Sequence, residues 1–230
     1  MRTTLIDRAS EPYRSAGLFA YNFARGKLSA DPVFRAMLER GLLQGRGRIL
    51  DLGCGQGLLA SWLRAALVCY ENGSWPLGWP PAPCSTRGIE LMVRDVERAR
   101  AALGPLCDIS QGDIRSADFG TTDAVVILDV LHYMAKEEQL QVLKRVRAAL
   151  PARGLLLMRI GDADGGLRFR YSQWVDKLVM FFRGHSSVNT HCRSAAQWRE
   201  LLKGCGFEVQ ATPMSEGTRF ANVLLIGHAK

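Results

Sequence analysis

The sequence lacks the features that would place the chain outside ordinary globular proteins. Its six cysteines form no CxxC pair, and no Cys and His cluster has zinc-finger spacing, so no metal site is predicted. Scattered cysteines in a chain of 230 residues are typical of reduced thiols and predict a cytoplasmic protein. No run approaches the roughly 20 apolar residues of a membrane span, and the first residues lack the apolar segment of a secretory signal.

Lysine is also scarce, since the chain has six Lys against twenty-four Arg and a formal net charge of +8. A basic balance is compatible with an anionic partner, such as nucleic acid or a carboxylate substrate. However, no run of arginines concentrates the charge, and no RNA-binding signature is present. The simpler interpretation is a compositional preference for arginine that assigns no partner.

Short apolar segments alternate with helical patterns from residue 48 onward, as in a parallel sheet with crossover helices. Their unbroken apolar character is typical of strands that are buried on both faces. The sequence therefore predicts an α/β fold with a doubly wound, mostly parallel sheet of seven strands. The predicted strands are residues 48–52, 87–91, 108–111, 124–128, 154–160, 207–211 and 222–228.

Helical patterns fill the spaces between the predicted strands. In residues 136–150, apolar side chains recur at spacings of three and four, which predicts one buried face. The run Ser194-Ala195-Ala196-Gln197 is a candidate capping box, because each end can satisfy a backbone N–H of the other. It predicts a helix that begins there and ends near Gly204. The other predicted helices are residues 57–67 and 92–103.

Three segments fall outside this alternation. Residues 1–45 predict two or three helices ahead of the sheet, and residues 72–86 predict an irregular loop because they are rich in Pro and Trp. Residues 161–193 form a long connection after the fifth strand, which is typical of a lid. We therefore expect N-terminal cap helices, a domain over residues 46–230 that includes this lid insertion, and a single structural domain overall.

The strongest functional signal is a glycine-rich turn after the first predicted strand. It reads Asp51-Leu52-Gly53-Cys54-Gly55-Gln56-Gly57 and continues into a predicted helix. Glycine accepts positive φ, and its lack of a Cβ lets a ligand approach the backbone closely. The first N–H groups of the helix have no partner within the helix, so they are available to a ligand. The turn therefore predicts a cofactor site.

This run resembles the first motif of the class I S-adenosylmethionine-dependent methyltransferases, which reads acidic-x-Gly-x-Gly-x-Gly after a strand. The resemblance extends over about residues 45–160 and the final helix and strand. It implies a Rossmann-like fold with S-adenosylmethionine as cofactor and S-adenosylhomocysteine as product. The implied ligands of the methionine part are Asp51, near its ammonium group, and the turn residues Gly53, Cys54, Gly55, Gln56 and Gly57.

The same glycines also fit the dinucleotide fingerprint G-x-G-x-x-[GA], over residues 55–60. Two features favour the methyltransferase over a nicotinamide enzyme. One is the acidic residue two positions before the first glycine, and the other is the order of the later motifs. Protection from thermal unfolding by S-adenosylhomocysteine, and not by NAD(P), would distinguish the two classes.

Two later motifs place acidic side chains at strand ends. Glu90, beside Leu91, can accept hydrogen bonds from both ribose hydroxyls. It lies farther from the turn than the usual ~20 residues, and the Pro- and Trp-rich loop accounts for the excess. The run Gly112-Asp113-Ile114 resembles the family's corner after the third strand, where Asp accepts from the adenine amino group and the next N–H meets a ring nitrogen. Alternatively, Asp113 caps its own backbone.

The run Leu128-Asp129-Val130-Leu131-His132 resembles the end of the fourth strand in small-molecule methyltransferases. The resemblance implies that Asp129 and Val130 contact the cofactor beneath the transferred methyl group. The Asn/Asp-Pro-Pro-aromatic signature of enzymes that methylate nucleobase or protein amide nitrogens is absent, which favours a small-molecule acceptor over nucleic acid. His132 is the candidate general base, since imidazole titrates near neutral pH. The alternative is a structural histidine that steadies the loop.

The N-terminal segment supplies a candidate cation. Related small-molecule methyltransferases place N-terminal helices over the cofactor, with a basic side chain near its carboxylate. Arg25 is the first candidate, because a guanidinium binds a carboxylate through two parallel hydrogen bonds. Lys27 and Tyr13 are second choices. The alternative is that these basic residues are solvated on an amphipathic helix.

The acceptor is predicted only as a chemical class. The composition of the predicted lid favours an acidic or aromatic small molecule, either free or bound to a carrier protein. An RNA methyltransferase, which would bind RNA with a steep salt dependence, and a cofactor-binding protein without turnover are the alternatives. Nothing in the sequence predicts the oligomeric state. The basic and aromatic lid residues are Arg168, Arg170, Tyr171, Trp174, Phe181 and Phe182.

Overall fold

A computed structural model of the chain describes residues 2–75, 86–106, 108–166, 190–218 and 220–230. Its strands are β1 (Ile49–Leu52), β2 (Thr86–Glu90), β3 (Asp108–Gln111), β4 (Ala124–Leu128), β5 (Leu155–Gly161), β6 (Phe207–Pro213) and β7 (Asn222–Ala229). They form one seven-stranded sheet in the order β3-β2-β1-β4-β5-β7-β6. The chain divides into two compact units, Met1–Asp118 with Thr122–Ala124, and Phe119–Thr121 with Val125–Lys230.

In the first unit, β1, β2 and β3 pair in parallel, so that Leu52 lies opposite Ile89, and Glu90 lies opposite Gln111. All four residues of β1 are buried, which explains its apolar sequence and makes the one charged residue, Asp51, conspicuous. The helices of this unit are α1 (Arg2–Ser10), α2 (Leu18–Ala30), α3 (Pro32–Glu39), α4 (Leu58–Glu71) and α5 (Val93–Leu103), with a 3-10 helix over Glu11–Ala16.

The N-terminal helices are fixed to α4 by buried hydrogen bonds. The Ser61 hydroxyl donates to the Ala9 carbonyl at 2.6 Å, and the Trp62 indole donates to the Phe34 carbonyl at 2.8 Å. Because these donors are buried, each bond also avoids the cost of an unsatisfied polar group. The N-terminal helices therefore belong to the same compact unit as the first three strands.

In the second unit, β7 pairs antiparallel with both β5 and β6. The described residues of this unit also form α6 (Lys136–Ala149) and α7 (Ala195–Gly204), with a 3-10 helix over Leu131–Tyr133. The predicted capping box is confirmed: the Ser194 hydroxyl accepts from the Gln197 N–H at 3.3 Å, and the Gln197 side chain accepts from the Ser194 N–H at 3.1 Å.

The predicted fold class and strands are confirmed, with small shifts at their ends. β3 and β4 have the predicted bounds, whereas β2 ends at Glu90 because Leu91 leaves the sheet and is 52% exposed. α4 continues to Glu71 because Cys69 remains buried against the core. Most of the Pro- and Trp-rich loop, and residues 167–189 of the predicted lid, lie outside the described residues. In the part that is described, no helix is long and apolar enough to cross a membrane.

Candidate cofactor site

The turn after β1 has a backbone that side chains other than glycine rarely adopt. Gly53, Gly55 and Gly57 all have positive φ, at 73°, 56° and 79°. At Gly57 there is also no room for a side chain, since a Cβ would lie 2.6 Å from the Ile109 Cδ1. The Gly53 N–H donates to the Ile89 carbonyl at 2.8 Å, which fixes the turn against β2. The predicted glycine turn therefore has a specific conformation.

Glu90, at the end of β2, reaches back to this turn. One carboxylate oxygen accepts from the Gly55 N–H at 2.8 Å, and the other accepts from the Met92 N–H at 2.8 Å. The side chain is buried, and a carboxylate oxygen can accept more than one hydrogen bond. Glu90 can therefore hold the turn and still accept hydrogen bonds from a ligand. The sequence did not predict the first of these roles.

Asp51 is buried in β1, with only 6% of its surface exposed. Burial, together with the negative charge of Glu90, raises its pKa to about 7. None of the described residues donates a hydrogen bond to its carboxylate. A buried carboxylate without a donor is costly, so this position favours a ligand that brings a positive charge or an N–H group.

Two other residues of the turn direct their side chains into the protein. The Cys54 side chain packs against Gly88, where a Cβ would lie 2.7 Å from the Cys54 sulfur. The Gln56 side chain is 2% exposed and donates to the Ala20 carbonyl at 2.9 Å. These two residues can therefore contribute to a ligand site mainly through their backbone.

The corner after β3 shows the local interactions of an Asp turn. The Asp113 carboxylate accepts from the Arg115 backbone N–H at 2.9 Å and binds the Arg115 guanidinium in the same turn. The guanidinium lowers the pKa of Asp113. Ile114 is buried. The alternative that Asp113 caps its own backbone is thus present in the structure, while its contact with adenine stays a prediction.

The predicted cations of the N-terminal segment have acidic partners. Arg25 forms an ion pair with Asp7, and Lys27 forms one with Asp31 at 2.9 Å. In contrast, Tyr13 is fully buried and its hydroxyl donates to the Gln56 carbonyl at 2.9 Å. Tyr13 is therefore hydrogen-bonded to the glycine turn. Whether Arg25 binds a cofactor carboxylate stays a prediction.

In the second unit, the turn after β4 contains Asp129 at a φ of 59°. Its carboxylate binds the guanidinium of Arg159 through both oxygens, one at 2.9 Å from Nε. The Arg159 side chain is fully buried within β5. The predicted cofactor contact of Asp129 and Val130 is not tested by this geometry. Arg159 was not predicted as a functional residue, although it is a single arginine within the apolar run Leu155–Gly161.

His132 follows in the same loop of the second unit. Burial lowers its pKa, and the charge of Asp129 opposes that shift. The ring lies 4.0 Å from the Tyr133 ring between centroids, and the His132 carbonyl accepts from the His191 N–H at 2.7 Å. A neutral imidazole can accept a proton, so the chemistry of a general base is available.

The loop that carries His132 is tied to residues 190–193. Gln139 is fully buried, and its amide nitrogen lies 3.1 Å from the Leu131 and Met134 carbonyls and 2.8 Å from the His191 carbonyl. Arg193 donates to the amide oxygen at 2.8 Å.

Within the described residues, no group of three His, Cys, Asp or Glu side chains could hold a metal ion.

The glycine turn, the acidic end of β2 and the antiparallel β7 define the class as the Rossmann-like methyltransferase fold. Similar solved structures include magnesium protoporphyrin IX methyltransferase from Synechocystis, with a TM-score of 0.61, 17% identity, and coverage of 92% of this chain and 88% of that one. An O-methyltransferase family protein from Burkholderia thailandensis has a TM-score of 0.65 and 19% identity, over 94% of this chain and 62% of that one. At these identities the likeness concerns the fold.

The sequence profile of the family described as a methyltransferase domain matches residues 22–212. The chain therefore belongs to this methyltransferase family. It is also 31% identical, over 125 residues, to carboxy-S-adenosyl-L-methionine synthase of Chromohalobacter salexigens. That match covers 52% of this chain and 42% of the relative, so the chain spans less than half the length of this curated relative.

Proposed function

We propose that the enzyme transfers the methyl group of S-adenosylmethionine to a small-molecule acceptor, either free or bound to a carrier protein. The observation that carries the cofactor site is the buried pair of acids at the glycine turn. Asp51 has no donor among the described residues, and Glu90 already organises the turn. A ligand with an ammonium group and ribose hydroxyls supplies the partners that these two carboxylates can bind.

Different residues of the first unit would bind different parts of the cofactor. Asp51 would bind the ammonium group, the backbone of residues 53–57 would lie against the methionine part, and Glu90 would accept from the ribose hydroxyls. Leu91 offers an exposed apolar side chain beside Glu90. The remaining predicted contacts come from Arg25, Asp113, Ile114, Asp129 and Val130.

When bound, the sulfonium supplies an already activated methyl group, so the chain mainly has to position the acceptor and exclude water. Positioning alone can contribute about 7–11 kcal/mol to the acceleration. A base is required only if the acceptor must lose a proton before it attacks. His132 is our candidate for that role, because burial keeps its pKa low and the imidazole neutral.

The absence of the Asn/Asp-Pro-Pro-aromatic signature supports a small-molecule acceptor. The sequence carries Leu128-Asp129-Val130-Leu131 at that position, and the structure pairs Asp129 with Arg159. Asp129 thus already has a partner within the protein. This pairing adds support because the turn after β4, which stands in place of that signature, is built around an ion pair.

Two experiments test the proposal. Calorimetry with S-adenosylhomocysteine should show binding, and the absence of binding by both this product and S-adenosylmethionine would refute the cofactor site. An assay with labelled S-adenosylmethionine should then compare aromatic acids and acyl carriers with structured RNA. Methylation of RNA alone would contradict the small-molecule acceptor, whereas binding without any turnover would indicate a cofactor-binding protein.

A further inference from the structure

The glycine turn is held from two sides by elements that are distant in the sequence. On one side, Glu90 accepts from the Gly55 N–H at 2.8 Å. On the other side, the Tyr13 hydroxyl donates to the carbonyl of the next residue, Gln56, at 2.9 Å. The turn contains three glycines, all with positive φ in the folded chain. Because glycine is conformationally permissive, the unfolded turn has many accessible backbone conformations. Contacts from outside the turn must therefore select the one that is observed.

Gln56 and Tyr13 form a reciprocal pair of links between the turn and the N-terminal helices. The Gln56 amide donates to the Ala20 carbonyl in the first part of α2, while Tyr13 precedes that helix and donates back to Gln56. Both side chains are buried, with 2% and 0% of their surfaces exposed. Loss of the Tyr13 hydroxyl leaves the buried Gln56 carbonyl without the donor observed here, which is more costly than loss of an exposed hydrogen bond. Loss of the Gln56 amide removes a second buried hydrogen bond, to a carbonyl within α2.

We propose that Tyr13 and Gln56 form a clamp through which the N-terminal helices set the affinity of the glycine turn for the cofactor. Both are positioning residues, because they act on the backbone of the turn and not on the reacting atoms. This inference rests on the proposed function, which places the cofactor at the turn. It makes the helical layer part of the cofactor site and not merely a cover over it.

The clamp is tested by two variants and a matched control. Tyr13→Phe and Gln56→Met each remove one donor while they preserve the shape of the side chain. We expect about tenfold weaker binding of S-adenosylhomocysteine by calorimetry, below the melting temperature of each variant. Ser61→Ala removes the link between Ala9 and α4, which is buried in the same way but does not touch the turn. It should lower the melting temperature and leave the dissociation constant within about twofold of the parent value.

Unchanged affinity in both variants, or an equal loss in Ser61→Ala, would overturn the clamp. Failure of the unmodified chain to bind S-adenosylhomocysteine would instead refute the proposed function, and the clamp with it. Hydrogen exchange on the unmodified chain gives an independent measure that needs no variant. The product should slow exchange at the start of α2, where the Tyr21 N–H donates to the Gly17 carbonyl, more than in α3. Equal protection of both helices would contradict the proposal.

Discussion

Two turns that follow strands of the sheet both contain residues with positive φ, but different interactions stabilise them. The turn after β1 has positive φ at three glycines, whereas the turn after β4 has positive φ at a single aspartate, Asp129. In the first turn, Glu90 accepts from a backbone N–H. In the second, Arg159 binds the side chain of the residue with positive φ. The first turn is held by a carboxylate from the neighbouring strand, and the second is fixed by its own ion pair.

The aspartates near these two turns, Asp51 and Asp129, also differ in their partners. Asp51 has no donor among the described residues and has a pKa raised to about 7, while Asp129 is bound by a fully buried guanidinium. A buried carboxylate with an internal partner is explained by the fold, because the arginine needs its charge. One without an internal partner points to a ligand. This difference gives Asp51 the stronger claim to a binding role.

The largest effect is expected from removal of the ion pair between Asp129 and Arg159. Asp129→Ala should lower the free energy of unfolding by about 3 kcal/mol, because Arg159 would remain buried without a counter-charge. Urea denaturation measures the change. Glu200→Ala removes an ion pair with Lys203 on the surface of the same unit and should have no measurable effect. Equal stability of the two variants would mean that Arg159 is satisfied by other groups.

A second test concerns the glycine of the first turn that has no room for a side chain. Gly57→Ala should cost about 2 kcal/mol of stability and abolish product binding, because its Cβ would collide with Ile109. Gly73→Ala is the matched control, since Gly73 also has positive φ but no atom lies within 4 Å of the added Cβ. That variant should lose only about 1 kcal/mol and still bind. Thermal melting and calorimetry distinguish the two effects, and retained binding in Gly57→Ala would be inconsistent with a cofactor at this turn.

Removal of Glu90 should act on the turn and on the ligand together. Glu90→Ala is expected to weaken binding of S-adenosylhomocysteine about 10–100-fold. The Gly55 N–H would lose its acceptor, and the ribose hydroxyls would lose the carboxylate that we propose accepts from them. Isothermal calorimetry measures the dissociation constant. Glu97→Ala, on the exposed side of α5, serves as the control for loss of a negative charge. Equal dissociation constants in the two variants would argue against a ribose contact.

The last test concerns the pH dependence that Asp51 should confer. Its folded pKa of about 7 lies above the ordinary pKa of 3.8, so the folded state retains a proton that the unfolded state releases. Stability should therefore fall as the pH rises from about 4 to about 7, and this slope should disappear in Asp51→Asn. Product affinity should have the opposite trend and rise by at most about tenfold per pH unit towards pH 7, because the ionised carboxylate binds the ammonium group. Calorimetry across this range checks both trends, and a flat profile in the parent enzyme would contradict the assigned role.

The parts of the fold that were predictable depend on local patterns. β3 and β4 were predicted with their observed bounds because each is a short segment between clear turn signals. The start of α7 was predicted because both members of the capping box lie within four residues. Helix and strand ends were less accurate where burial decides them, as at Cys69 in α4.

The links between distant residues could not be predicted in this way. The motif predicted a ligand role for Glu90, but the bond of Glu90 to Gly55 depends on how β2 lies beside β1, since the two residues are 35 positions apart in the sequence. The bond from Tyr13 to Gln56 spans 43 positions, and the pair of Asp129 and Arg159 spans 30. No local pattern encodes these pairings, because tertiary packing determines them.

Gln139 has a mechanical consequence for the second unit. Its single buried amide joins the carbonyls of the loop around His132 to the chain at residues 190–193. A displacement of residues 190–193 would break these buried hydrogen bonds unless the loop around His132 moved as well. The loop that carries the candidate base and residues 190–193 are therefore joined through one buried side chain. Any rearrangement of this region during the catalytic cycle would carry the imidazole along.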